Sequence, residues 1–141
     1  MKKGIFIEIA SYTLMMLFAY ASINKLIDYD IFLKDLNRSP LLAKYSKLFS
    51  IIVPIIELCT CTMLIFEKTR KQGFISSVIL MTLFTFYVGY VLFYMKQQPC
   101  SCGGIIRSLS WTNHLIFNIT FLLIALTGLV FHYKKHKTHY A

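Results

Sequence analysis

The stretch "LFSIIVPIIELCTCTMLIF", residues 48–66, decides the fold. Its single charged residue is Glu57. A helix of about 20 apolar residues crosses the hydrocarbon core of a bilayer. Three further runs of this kind occupy roughly residues 5–23, 73–95 and 113–131. Water is absent in lipid, so each backbone polar group must bond within its own segment, and all four runs must be helices. A buried helix of a soluble protein can imitate one such run. Four of them in 141 residues that are 57% hydrophobic exclude a soluble domain. The expected fold is all-α: a polytopic membrane four-helix bundle forming one domain over residues 1–141, with a basic cytoplasmic tail at 132–141.

Between the first two runs, "DYDIFLKDLN" (28–37) sets Ile31, Phe32 and Leu36 among charges. That pattern suits a short helix lying at the membrane interface. Ser39-Pro40 follows, a capping residue before a proline at the first helical position, so the second spanning helix is expected to begin near Pro40. Pro54 inside it should kink the helix and free a carbonyl. The first run, with Lys2-Lys3 before it and Ala19-Tyr20-Ala21 near its end, has the outline of a signal peptide. Glu8 and the length of the run favour a retained span instead.

The net charge is +9. In a chain of this kind, Lys and Arg mark the cytoplasmic loops rather than a nucleic-acid surface. Lys2, Lys3, Lys68, Arg70, Lys71, Lys134, Lys135 and Lys137 fall on the side of the termini. Lys25, Lys34, Arg38, Lys44, Lys47, Lys96 and Arg107 fall on the other, over two longer loops that also carry Asp28, Asp30 and Asp35. This places both termini on the cytoplasmic side. Cys100 and Cys102 then face outward, where thiols oxidise.

Polar and small residues recur at helical spacing: Glu8, Ser11, Met15, Phe18 or Ala19, and Ser22 in the first span; Ser50, Pro54, Glu57 and Cys61 in the second; Trp111, His114, Asn118, Ala125 and His132 in the fourth. Such stripes face other helices rather than lipid. An ionised carboxylate in mid-membrane costs about 2.5–3.5 kcal/mol on insertion scales, so Glu57 needs a partner or a proton. Asn118 and the carbonyl freed by Pro54 are the expected partners. Two roles remain open for Glu57: a proton-accepting or quinone-facing group, or a structural hydrogen bond.

The sharpest local signal is Cys100-Ser101-Cys102, between Pro99 and Gly103-Gly104 in "KQQPCSCGG". Sulfurs two residues apart in a turn reach bonding distance, but the small ring is strained and easily reduced. That suits thiol–disulfide exchange. Inert loop cysteines, a static disulfide or a Cu(I) site are the alternatives. His114, in the first turn of the fourth helix, is placed to steady a thiolate. Its plainer role is a bond to a loop carbonyl. Trp111 anchors the interface or stacks on a cofactor. Cys59 and Cys61 on a helix point about 200° apart and are read as packing residues. His132, His136 and His139 are read as part of a basic surface near anionic lipid rather than a metal site.

"FAYASINKLIDYDIF", "VPIIE", the tyrosine-rich third span, "CSCGG" and "WTNHLIFN", in this order, resemble the MauE/DoxX-like family of bacterial membrane proteins, in particular its methylamine utilisation members. The resemblance marks Lys25, Pro54, Glu57, Cys100, Cys102, Gly103, Trp111, His114 and Asn118. It implies a four-helix inner-membrane protein of redox maturation, associated with the disulfide-rich small subunit of methylamine dehydrogenase. Four-helix enzymes of the DsbB and vitamin K epoxide reductase kind use Cys-x-x-Cys beside a quinone and a second outer thiol pair, and this chain has neither pattern. The leading expectation is a thiol–disulfide component in which Cys100, Cys102 and His114 exchange with a thioredoxin-like or exported disulfide-containing partner. Glu57, Asn118 and Trp111 would form a site in the bundle, with a quinone as the possible cofactor and no bound metal. Its rivals are a non-enzymatic assembly factor with a Cys-x-Cys clip, and a small ion-handling or transport subunit built on Glu57.

Overall fold

The computed structural model describes residues 2–94 and 110–139. Among them run α1 (Lys2–Ile27), α2 (Tyr29–Arg38), a 3-10 turn (Ala43–Tyr45), α3 (Ser46–Ile65), α4 (Arg70–Tyr94) and α5 (Trp111–His139). Four segments are long and apolar enough to span a bilayer: Gly4–Ile27, Ala43–Ile65, Arg70–Tyr94 and Trp111–Lys134. The spanning helices form a ring in which α1 packs between α3 and α5, and α4 between the same two. The chain is a multi-pass membrane four-helix bundle with a short helix, α2, between its first two spans.

The distribution of side chains inverts that of a soluble bundle. Ile9, Met16, Ile55, Leu83, Phe86, Phe93, Ile116 and Leu123 are exposed, whereas Ser11, Ser22, Ser50, Thr60 and Ser77 are buried. Apolar chains gain nothing by leaving lipid. Small hydroxyl residues gain close backbone approach and satisfied hydrogen bonds. Thr60 and Ser76 join α3 to α4 through their hydroxyls at 2.6 Å. Ser11 and Ser77 return theirs to their own helices, onto the carbonyls of Ile7 and Gly73. Gly128 faces the Phe74 ring so closely that a Cβ there would lie 2.9 Å from Cζ, and this draws α5 onto α4. Phe18, Leu14, Leu64, Phe74 and Met81 fill the centre.

The second span starts later than Ser39-Pro40 predicts. Ser39 closes α2 instead, its N–H donating to the Leu36 carbonyl at 3.1 Å. The chain then turns through residues 40–45, and α3 begins at Ser46, whose hydroxyl donates to Asn37 Oδ1 at 2.5 Å. The Ser39 side-chain oxygen has no hydrogen-bond partner among the described residues, so Ser39 does not cap the next helix. The hydroxyls of Tyr29 and Ser50, 3.1 Å apart, complete the seam between α2 and α3. α2 turns Phe32, Asp35 and Leu36 inward and keeps Asp30 and Lys34 outward, as an interfacial helix requires. α3 continues through Pro54. The first stripe needs one correction: Ser11, Phe18 and Ser22 are buried, but Glu8 is exposed. It lies within two turns of the helix start, where a carboxylate reaches the polar interface more readily than at mid-depth.

Candidate functional site

Glu57 is fully enclosed, and its partner is Lys25. The Nζ of Lys25 donates to Glu57 Oε1 at 2.7 Å, with the two side chains 6% and 0% exposed. The expected partners, Asn118 and the carbonyl freed by Pro54, are not bonded to it. Lys25 is likewise no loop charge, because α1 runs on to Ile27 and keeps Lys25 in its last turn.

The geometry of the two helices accounts for this pairing. The Cys61 thiol reaches the Met15 carbonyl at 3.6 Å and so fixes the antiparallel register of α1 and α3. Counting from that contact, the backbone of Glu57 is level with residue 19, roughly 9 Å along the axis from Lys25 at 1.5 Å per residue. Side chains on a helix lean toward its N-terminus. Lys25, at the end of α1, therefore leans into the bundle, and Glu57 leans back toward the end where α3 begins. The two meet between their backbones. A lysine at the start of a spanning helix would lean the other way, out to water. Lys25 Nζ also lies 5.6 Å from the centre of the Phe84 ring and 5.8 Å from that of Phe32, within cation–π range.

The other predicted residues gather at the same end of the bundle. His114 and Asn118 are both buried on α5. Trp111 tilts against the His114 ring at a centroid distance of 6.0 Å. Trp111 is itself half-buried. The Gly128–Phe74 contact sets the antiparallel register of α4 and α5. Ten residues along each chain from it stand Phe84 and Asn118, so Asn118 shares the depth of the Lys25–Glu57 pair. Among the described residues, Glu57 Oε2 and Asn118 Nδ2 are buried without a hydrogen-bond partner. Cys100 and Cys102 lie outside the described residues, in the segment that joins Tyr94 of α4 to Trp111 of α5. Cys59 is exposed and Cys61 half-buried, and neither is bonded to the other.

A close reading of residues 1–27 alone could have found Lys25. It is the one basic residue between Lys3 and the charged 28–37 segment, and it sits on an apolar helix rather than among polar neighbours. A mid-membrane acid elsewhere in the chain needed a cation.

A family model described as methylamine utilisation protein MauE matches residues 3–131. No curated protein and no solved structure matches the chain. The matched residues include all of the buried polar group just described, together with Cys100 and Cys102.

Proposed function

The chain belongs to the MauE family of methylamine utilisation proteins and is a multi-pass membrane protein, and from that premise we propose that it is a thiol–disulfide component that assists maturation of an exported protein. The observation that carries this reading is the sequence Cys100-Ser101-Cys102 between Pro99 and Gly103-Gly104. Those cysteines belong to the α4–α5 connection, and His114 opens the helix that follows it.

In the exchange, the thiolate of one cysteine attacks the partner's disulfide, forming a mixed disulfide and releasing one partner thiolate. The second cysteine then attacks the mixed disulfide. The partner leaves as a dithiol with two electrons gained, and Cys100–Cys102 is left oxidised. Run in reverse, the same two steps oxidise a partner's dithiol. His114 stands one turn into α5, next to the positive N-terminal end of that helix, where both favour a thiolate. The partner is an exported disulfide-containing protein or a thioredoxin-like carrier. The Lys25–Glu57 pair ties the end of α1 to α3, at the end of the bundle where His114 and Asn118 are buried on α5.

The reading places the protein in the inner membrane with both termini and the 132–141 segment in the cytoplasm, and the cysteine turn in the periplasm. With Lys25 paired inside the bundle, the periplasmic side retains Lys34, Arg38, Lys44, Lys47, Lys96 and Arg107 against eight cations on the other side. The charge bias is therefore larger than a count of all Lys and Arg suggests.

The test is functional complementation in cells whose growth on methylamine depends on this chain. Cys100→Ala and Cys102→Ala should each abolish growth while the protein stays in the membrane at normal level. A static clip would leave growth intact, because the loop it closes is too small to constrain the unfolded chain much.

A further inference from the structure

The Lys25–Glu57 pair satisfies only one carboxylate oxygen. Glu57 Oε2 is a buried acceptor without a donor, and Asn118 Nδ2 is a buried donor without an acceptor, among the described residues. Glu57 is 0% exposed and Asn118 4%. Buried polar atoms are rarely left unbonded, and each exception calls for an explanation. Of the four such atoms among the described residues, Glu57 Oε2 and Asn118 Nδ2 are complementary, stand at one depth, and belong to helices that face each other across the ring.

A direct bond between them is not made, and α3 and α5 do not share one of the bundle's packed seams. What fits between an N–H donor and a carboxylate acceptor is an oxygen that carries hydrogen, since it accepts from one and donates to the other. A carbonyl or ether oxygen cannot donate to Glu57. An ammonium cannot accept from Asn118.

We propose that Glu57 and Asn118 line a buried site for a hydroxyl oxygen, which accepts from Asn118 Nδ2 and donates to Glu57 Oε2 beside the Lys25–Glu57 pair. Its source is either a bound water, which in protein interiors makes about three such bonds, or the phenolic hydroxyl of a lipid-soluble aromatic. The inference stands on these residues alone and is independent of the thiol chemistry.

The test uses the full chain in detergent micelles. The infrared carboxylate band of Glu57 is identified as the band lost in Glu57→Gln. In Asn118→Leu that band should move, although the two side chains are not hydrogen-bonded to each other. The melting-temperature shift of the double variant should be smaller than the sum of the two single shifts. Asn118→Ser, which keeps a donor, is the second variant should Asn118→Leu fail to fold, and it should move the band less than loss of Lys25 does. Two probes separate the sources. Exchange into H2(18)O shifts an O–H stretch present in the wild type, retained in Asn118→Ser and absent in Asn118→Leu if water is bound. Added phenol raises the melting temperature of the wild type and not of the double variant if the site takes an aromatic hydroxyl. An unmoved carboxylate band with additive shifts, or a moved band with neither probe responding, overturns the proposal.

Discussion

Replacing Lys25 by Met leaves the side chain's length and most of its packing in place and removes its charge. Glu57 then remains 0% exposed, with the ammonium that stood 2.7 Å away gone. Removing one member of a buried pair costs about 3–5 kcal/mol, because the surviving charge is stranded. Membrane insertion scales put a lone mid-membrane carboxylate at a similar figure, about 2.5–3.5 kcal/mol. We therefore expect Lys25→Met to lose about 3 kcal/mol. Trp111, the only tryptophan, stands beside His114 at the same end of the bundle. Its fluorescence during denaturing-detergent titration in mixed micelles reports that loss. The double variant Lys25→Met/Glu57→Met should recover most of it, since a buried ion pair and an apolar pair of like volume are often equally stable. A single variant within about 1 kcal/mol of wild type, or a double variant no better than the single, would refute the reasoning.

Three further outcomes are expected. Gly128→Ala should destabilise by about 1–3 kcal/mol in the same titration, since the added Cβ meets the Phe74 ring, and Phe74→Leu in the same chain should restore part of the loss. Glu57→Gln keeps a hydrogen-bond acceptor for Lys25 but leaves its buried ammonium without a counter-charge, so it should lose about 1–3 kcal/mol in the same titration; stability equal to wild type would show that the pair holds by hydrogen bonding alone. An impermeant maleimide applied to intact cells after reduction should label Cys100 and Cys102, and labelling only after the membrane is breached would reverse the assigned orientation.

The spans were legible because a bilayer imposes length and apolarity together, and residues 48–66 satisfy both. Their inward faces were legible too: Ser50, Pro54 and Glu57 on α3, and His114, Asn118 and Ala125 on α5, are buried at the spacing that the stripes predict. The pairing was not. Lys25 and Glu57 are 32 residues apart in sequence and about 9 Å apart in axial level. Only the lean of both side chains, joined to the α1–α3 register, brings them together. A one-dimensional charge count instead assigned Lys25 to water. The start of α3 was misplaced for a local reason: Ser39 can end a helix as readily as begin one, and hydrogen bonding to Leu36 decides between them. Glu8 fell out of its stripe because a carboxylate near a helix end has a route to the interface that one at mid-depth lacks.

The central claim is that Cys100 and Cys102 exchange disulfides with a partner, and mixed-disulfide trapping tests it most directly. Cells producing Cys100→Ala or Cys102→Ala are quenched with acid, alkylated and run on non-reducing gels. A thiol that attacks but has no resolving neighbour stays joined to its partner. The account predicts that one of the two variants accumulates a higher-mass adduct that collapses on reduction, and that the other does not. Absence of any adduct from both variants, with growth on methylamine retained by each, would contradict it.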